Sequence, residues 1–155
     1  MKTRLALPAD TPAIKRVVNE TNLFPADMLG DLIAPFFSDP GCDERWFVVE
    51  ADEVLGFAYV RPEPLADGTW NVLAIGVRKD NQGQGLGRSL MATVEAALSD
   101  QRVLIVETSG LPEFARTRQF YLGLDYTLGA TLRAYWGPGD DKVVFWKALG
   151  DQPDR

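Results

Sequence analysis

Apolar and polar positions along the chain change rhythm several times, and each change marks an element. Thr3 to Leu7 reads as a short strand, which Pro8-Ala9-Asp10 breaks. Asp10 or Thr11 offers a cap for a helix with Pro12 in its first turn, and Ala13, Ile14, Val17 and Val18 then recur at helical spacing. Asn22-Leu23-Phe24-Pro25 interrupts that pattern. A second helix is predicted over Ala26 to Phe37, with Met28, Leu29, Leu32, Ile33 and Phe36 on one face, and Asp39-Pro40-Gly41 signals a turn. Two strands follow, Arg45 to Glu50 and Val54 to Val60, close enough for a hairpin through Ala51-Asp52-Glu53. Pro62 and Pro64 end that run. Trp70 to Val77 is a further hydrophobic strand, then a glycine-rich loop, then a helix over Gly85 to Leu98 with Leu86, Leu90, Met91, Val94 and Leu98 inward. Val103-Leu104-Ile105-Val106 is continuously apolar, as a strand covered on both faces is. Ser109-Gly110-Leu111-Pro112 leads to a helix from about Glu113 to Gly123, and strands Tyr126 to Trp136 and Lys142 to Ala148 flank the turn Gly137-Pro138-Gly139-Asp140-Asp141. The predicted order is β-α-α-β-β-β-α-β-α-β-β, an α/β arrangement. One domain is expected over residues 1–149, with a disordered tail at 150–155.

A chain of 155 residues is long enough for one domain with a sizeable core and too short for two. No apolar run approaches the roughly 20 residues that span a bilayer, and Met1-Lys2-Thr3-Arg4 leads straight into strand-like sequence without a signal-peptide core. A cytoplasmic protein with no membrane partner is expected. Cys42 is the single cysteine and there is no histidine. A disulfide within the chain, a Ser-His-Asp triad and a histidine-based zinc site are therefore excluded, and no metal is expected. The net charge of −6 disfavours a nucleic-acid surface, which needs clustered Lys and Arg, and is compatible with a cationic substrate such as an amine.

The densest chemistry lies in Val77-Arg78-Lys79-Asp80-Asn81-Gln82-Gly83-Gln84-Gly85-Leu86-Gly87-Arg88-Ser89-Leu90. Glycines let backbone approach a ligand without a Cβ in the way. A helix that starts there points unpaired N–H groups outward at the positive end of its dipole, which suits a phosphate. The spacing rejects two nucleotide motifs. A G-x-G-x-x-G needs glycine where Arg88 or Leu90 stands, and a P-loop needs a lysine that Gly87-Arg88-Ser89 lacks.

What remains, Gln82-x-x-Gly85-x-Gly87, resembles the coenzyme A pyrophosphate loop of the GNAT N-acetyltransferase superfamily. Its place between the fourth strand and a helix strengthens the likeness, which covers nearly the whole chain. The resemblance implies a GNAT-type fold with a mixed central sheet of about six to seven strands and about four helices. It implies acetyl-CoA as co-substrate and direct transfer of acetyl to the primary amine of a small molecule or peptide. By position, the Ile75 N–H would meet the thioester carbonyl, Val77 would pair with the pantetheine amides, and Gly76 is a suitable place for a strand-opening bulge. Backbone groups of Gly83, Gln84, Gly85, Leu86, Gly87 and Arg88 would hold the pyrophosphate. Gln82 would either bond a phosphate oxygen or brace the loop, and Arg88 would either add charge near the phosphates or lie in solvent. Arg118-Gln119-Phe120-Tyr121-Leu122-Gly123-Leu124-Asp125-Tyr126 resembles the family's Phe-Tyr-x-x-x-Gly-Phe, which makes Tyr121 the general acid for the departing thiolate. Asp125 replaces the family's glycine, although Gly123 can also supply the cap, and Phe114 replaces an asparagine that often touches the coenzyme.

A base must still take a proton from the substrate ammonium. Glu107 at the end of the fifth strand is the best-placed carboxylate, with Glu50 and Glu20 behind it. Cys42 lies in a turn with no histidine partner, so an ordinary thiol outweighs an acyl-carrying nucleophile. Phe24, Tyr135 and Trp136 can line an acceptor pocket or simply pack. Two other readings remain: a non-catalytic acyl-CoA-binding module or sensor, and, remotely, a nucleotide-binding domain. An exposed terminal strand leaves a homodimer open.

Overall fold

A computed structural model of the chain describes residues 1–150; of the tail expected to be disordered, only Gly150 is among them. The elements are β1 (Lys2–Leu5), α1 (Thr11–Thr21), α2 (Leu29–Ser38), β2 (Arg45–Glu50), β3 (Val54–Pro62), β4 (Thr69–Val77), α3 (Leu86–Ala97), β5 (Val103–Ser109), α4 (Ala115–Gly123), β6 (Thr127–Gly137) and β7 (Asp140–Ala148). This is the predicted order. Among the described residues they form one mixed sheet of seven strands in the order β1-β2-β3-β4-β5-β7-β6, with β4 and β5 parallel. The differences lie at element ends. The second and fourth helices open with 3-10 turns, Ala26–Met28 and Pro112–Phe114. β1 stops at Leu5 instead of Leu7 because the Leu7 N–H leaves the ladder and donates to Asp10 Oδ2 at 2.7 Å.

The residues divide into two compact units, and β4 contributes to both. The first comprises Met1–Pro62 and Leu73–Leu98. In it β2 pairs with β3 so that Trp46 faces Tyr59 and Val48 faces Phe57. These four join Ile14, Val17 and Val18 of α1 and Leu29 and Ile33 of α2 in one buried cluster. Trp46 stacks on Tyr59 with ring centroids 4.1 Å apart. The opposite face of β2 meets α3: Arg45 donates to the Ala97 carbonyl, and Thr3, paired with Val49, bonds Thr93. Both faces are covered, so β2 reads as an unbroken apolar run.

The second unit comprises Glu63–Val72 and the described residues from Ser99 on. Here β5 pairs in parallel with Thr69–Val72 and antiparallel with β7, which pairs in turn with β6. Its core holds Leu104, Val106, Tyr121, Tyr126 and Phe145, all buried. β6 is exposed along nearly its whole length.

A charge cluster closes the start of the first unit. Arg4 donates to both oxygens of Asp10, at 2.7 and 3.0 Å, and to both oxygens of Glu50, at 2.9 and 3.1 Å. The bond from Arg4 holds the Asp10 carboxyl below its ordinary range, against the opposing effect of burial, and Arg4 does the same for Glu50. A carboxyl whose pKa is lower folded than unfolded stabilises the fold above its unfolded value, near pH 4, and loses that contribution as pH falls through the folded value. We expect Asp10→Asn to cost about 1–2 kcal/mol at pH 7 and to flatten the loss of stability below pH 4. Thermal melts across pH check this, and an acid decline as steep as in the parent would show that the Asp10 charge is not involved.

Candidate active site

The glycine loop belongs to the first unit. After Val77 the chain makes a 3-10 turn over Lys79–Asn81 and enters α3 at Leu86. Gly83 (φ +78°) and Gly85 (φ +84°) are both left-handed, and a Cβ on either would have nothing within 4 Å. These glycines are needed for backbone shape and leave open space over the loop. Gly85 is the N-cap of α3 and no side chain caps that helix. The first-turn N–H groups thus keep no side-chain acceptor, at the positive end of the dipole. Gln82 Nε2 donates to the Val77 carbonyl at 3.1 Å, so this amide braces the loop. Arg88 is exposed on the first turn of α3. The base of the loop is anchored by Glu20, which accepts from Arg78 Nε and from the Lys79 N–H, both at 3.0 Å. Arg78 also donates to Glu53 at 2.7 Å.

β4 alternates in burial. Val72, Ala74 and Gly76 are covered, Leu73 is exposed, and Ile75 and Val77 are half-buried. The ladder with β5 runs from Thr69–Val103 to Val72–Val106. Gly76 was a candidate for a bulge; the structure gives a packing reason for it. A Cβ there would lie 2.8 Å from Leu23 Cδ1 and 3.2 Å from Val17 Cγ1, so the missing side chain lets α1 lie against the strand.

Tyr121 belongs to the second unit, on the inner side of α4, and is 3% exposed. Its ring meets Phe120, Tyr126 and Phe145 at centroid distances of 5.2, 6.0 and 5.6 Å. Burial pushes the phenol pKa well above its ordinary value, so the hydroxyl stays protonated throughout the neutral range. The helix ends in a Schellman motif: the Tyr126 N–H donates to the Tyr121 carbonyl and the Asp125 N–H to the Leu122 carbonyl, both at 3.1 Å. Asp125 is the left-handed residue (φ +69°), and Gly123 is not among the positive-φ glycines. The residue that closes the helix in the left-handed conformation is therefore Asp125 and not Gly123. Phe114, which stands where the family often has an asparagine, is exposed just before α4.

The carboxylates considered as bases are all engaged. Glu107 Oε1 accepts from Lys142 Nζ at 3.0 Å and, at 3.4 Å, from Asn71 Nδ2. Glu20 and Glu50 are held by Arg78 and Arg4, and both sit below their ordinary range: Glu20 chiefly through the Lys79 N–H, Glu50 chiefly through Arg4. Asn71 also donates to Glu63 Oε1 at 2.7 Å. Sequence reasoning missed Asn71, Glu63 and Lys142. A signal for the first was available, since Asn71 is a polar residue inside the apolar run Trp70 to Val77. Glu63 was hidden between two prolines that read only as a break. Tyr135 lies over Lys142, whose Nζ is 4.2 Å from the ring centroid, and stands edge-on to Trp136. Both rings are about half exposed. Phe24 instead packs against the apolar cluster of the first unit. Cys42 is a half-buried free thiol. Among the described residues no group of three or more His, Cys, Asp or Glu side chains is placed to hold a metal ion, and no helix is long and apolar enough to cross a membrane.

A family model for the acetyltransferase (GNAT) domain matches residues 42–128. A GNAT-family protein from Desulfovibrio desulfuricans is similar over 95% of this chain and 98% of its own, with 32% identity and a TM-score of 0.86. At the level of fold alone, the chain is also similar to two enterobacterial proteins. YncA from Salmonella typhimurium, solved with its cofactor acetyl-CoA, has 20% identity and a TM-score of 0.78 over 100% of this chain and 97% of its own. The ribosomal-protein-S18-alanine N-acetyltransferase of Escherichia coli has 18% identity and a TM-score of 0.78 over 99% and 97%. No curated protein sequence matches. The chain belongs to the GNAT acetyltransferase family, and its class of activity is acyl transfer.

Proposed function

We propose that this chain is an acetyl-CoA-dependent N-acetyltransferase of the cytoplasm that transfers acetyl directly to a primary amine of a small molecule or peptide in a ternary complex. The observation that carries the reading is the loop. Two left-handed glycines with open space over them lead into a helix whose first turn no side chain caps. That arrangement suits a pyrophosphate, and acetyl-CoA in the Salmonella structure of the same fold supports the choice of donor. The N–H groups from Gly83 to Arg88 would hold the pyrophosphate, with Gln82 shaping the loop. Val77 would pair with the pantetheine amides, and the Ile75 N–H would polarise the thioester carbonyl. Tyr121, kept protonated by burial, would supply a proton to the leaving sulfur. The rate gain would otherwise come from holding both substrates together.

Calorimetry with acetyl-CoA tests the donor. We expect micromolar binding, and no heat at millimolar ligand would sink the reading. Gly85→Ala should separate shape from stability. Because nothing lies within 4 Å of the new Cβ, its cost to the fold is the left-handed strain alone, about 1 kcal/mol. Its acetyl-CoA affinity should fall at least about tenfold, since the added methyl stands where the phosphates approach. An unchanged affinity would remove the loop from the site. The ion pair that occupies Glu107 favours one alternative, an acyl-CoA-binding module without turnover; free-thiol release with any amine decides against it.

A further inference from the structure

The reading above leaves the acceptor's proton without a receiver, because Glu107 is already neutralised by Lys142. The second unit holds another carboxylate. Glu63 follows the last residue of β3 and its N–H bonds the Thr69 carbonyl, which fixes its backbone beside β4. Its Oε1 accepts from Asn71 Nδ2 at 2.7 Å. No lysine or arginine pairs with it among the described residues. Asn71 is 3% exposed and sits between the two carboxylates, donating to both. Its other amide atom, Oδ1, is buried and has no donor. The cluster therefore carries one negative charge more than Lys142 offsets, and a protonated primary amine beside the part-exposed Glu63 supplies the missing positive charge. Tyr135, over Lys142, continues the same cluster with an exposed aromatic face.

We propose that Glu63 is a catalytic residue of the transfer, the carboxylate that receives the acceptor's ammonium and takes its proton, and that Asn71 positions it; the acceptor is then a cationic primary amine. The inference rests on the acetyltransferase reading. The ammonium loses one proton to Glu63, directly or through a bridging water, and the freed nitrogen pair forms the C–N bond. The C–S bond breaks as its electron pair leaves on sulfur. Sulfur takes a proton from Tyr121, which recovers one from the acylated nitrogen, and Glu63 returns its proton to solvent. The products are the amide, coenzyme A as its thiol, and one proton.

The test follows free thiol with acetyl-CoA and a panel of primary amines: n-butylamine, lysine amide, an aminoglycoside and an alanyl peptide. Glu63→Gln keeps the acceptor atom for Asn71 and should fold. On the best amine we expect its kcat/KM to fall about 100-fold or more at pH 7, with acetyl-CoA affinity unchanged. The deficit should shrink as pH rises toward the amine's own pKa, near 10, where solvent removes the proton instead. Glu63→Asp should recover part of the rate and Glu107→Gln should cost less than Glu63→Gln. A Glu63→Gln variant within about threefold of the parent, or a loss that is equal at every pH, would overturn the proposal while leaving the acetyltransferase reading intact. Acetyl-CoA binding with no amine turned over by the parent would overturn both.

Discussion

Tyr121→Phe is expected to lower turnover by about 100- to 1,000-fold while leaving acetyl-CoA affinity within a factor of about two. The argument starts from packing. Tyr121 is 3% exposed and surrounded by the rings of Phe120, Tyr126 and Phe145. Phenylalanine fills the same hole, so the helix and its Schellman end stay in place. What is removed is a hydroxyl that burial keeps protonated. Because that pKa is raised, the proton is present at neutral and moderately alkaline pH, and loss of activity on the alkaline side up to about pH 10 should not come from Tyr121. The affinity forecast follows from the proposed division of labour, in which backbone groups of the loop and of β4 hold the donor and Tyr121 acts on the departing sulfur. Steady-state rates with calorimetry on the same variant check both parts. Unchanged turnover would remove Tyr121 as the acid; a matching loss of affinity would make it a binding residue instead.

Much of this was legible in the sequence because local signals agreed with each other. The order of elements came from changes in periodicity, and the loop from glycine spacing next to a helix. The element order and the left-handed glycines depend on backbone geometry within a few residues, as at Gly83 and Gly85. Other points turned on hydrogen bonds and dihedral angles that residue spacing does not report. Whether Gln82 bonds a phosphate or the loop depends on where the Val77 carbonyl points. Which residue ends α4 depends on Asp125 accepting a left-handed φ. The proposed base was hardest to see. Glu107 stands at the end of an apolar strand, which draws attention, but its partner Lys142 lies 35 positions along the chain, on β7 (142 − 107). Glu63 is fixed by Asn71 on the next strand, and only strand pairing brings the two together. Periodicity reports burial; it does not report which charges neutralise each other.

Gly56→Ala should be the most damaging single methyl in the first unit. Gly56 lies in β3 opposite Val49 of β2. A Cβ there would stand 2.7 Å from the carbonyl oxygen of Gly76, 3.1 Å from Val49 Cγ1 and 3.2 Å from Val77 Cγ2. The nearest atom is backbone, so no rotamer change relieves the contact and one of the two strands must move. Overpacking of this kind costs typically about 1–3 kcal/mol, and in a chain this long each kcal/mol shifts the melting temperature by roughly 2–4 °C. A fall of about 5–10 °C is expected. Gly76 then bears on both sides at once: its carbonyl needs the space over Gly56, and its own missing Cβ admits α1 through Leu23 and Val17. Pushing that carbonyl displaces Ile75 and Val77, the segment assigned to the thioester and the pantetheine. The variant should therefore lose acetyl-CoA affinity by about tenfold or more even well below its melting temperature. Gly30→Ala in α2 is the control, since nothing lies within 4 Å of its Cβ and alanine in a helix is favoured by about 0.5–1 kcal/mol. If Gly56→Ala melts and binds like the parent, β3 and β4 have slack at this level, and the close backbone approach that fixes the Ile75–Val77 segment is not what shapes the coenzyme site.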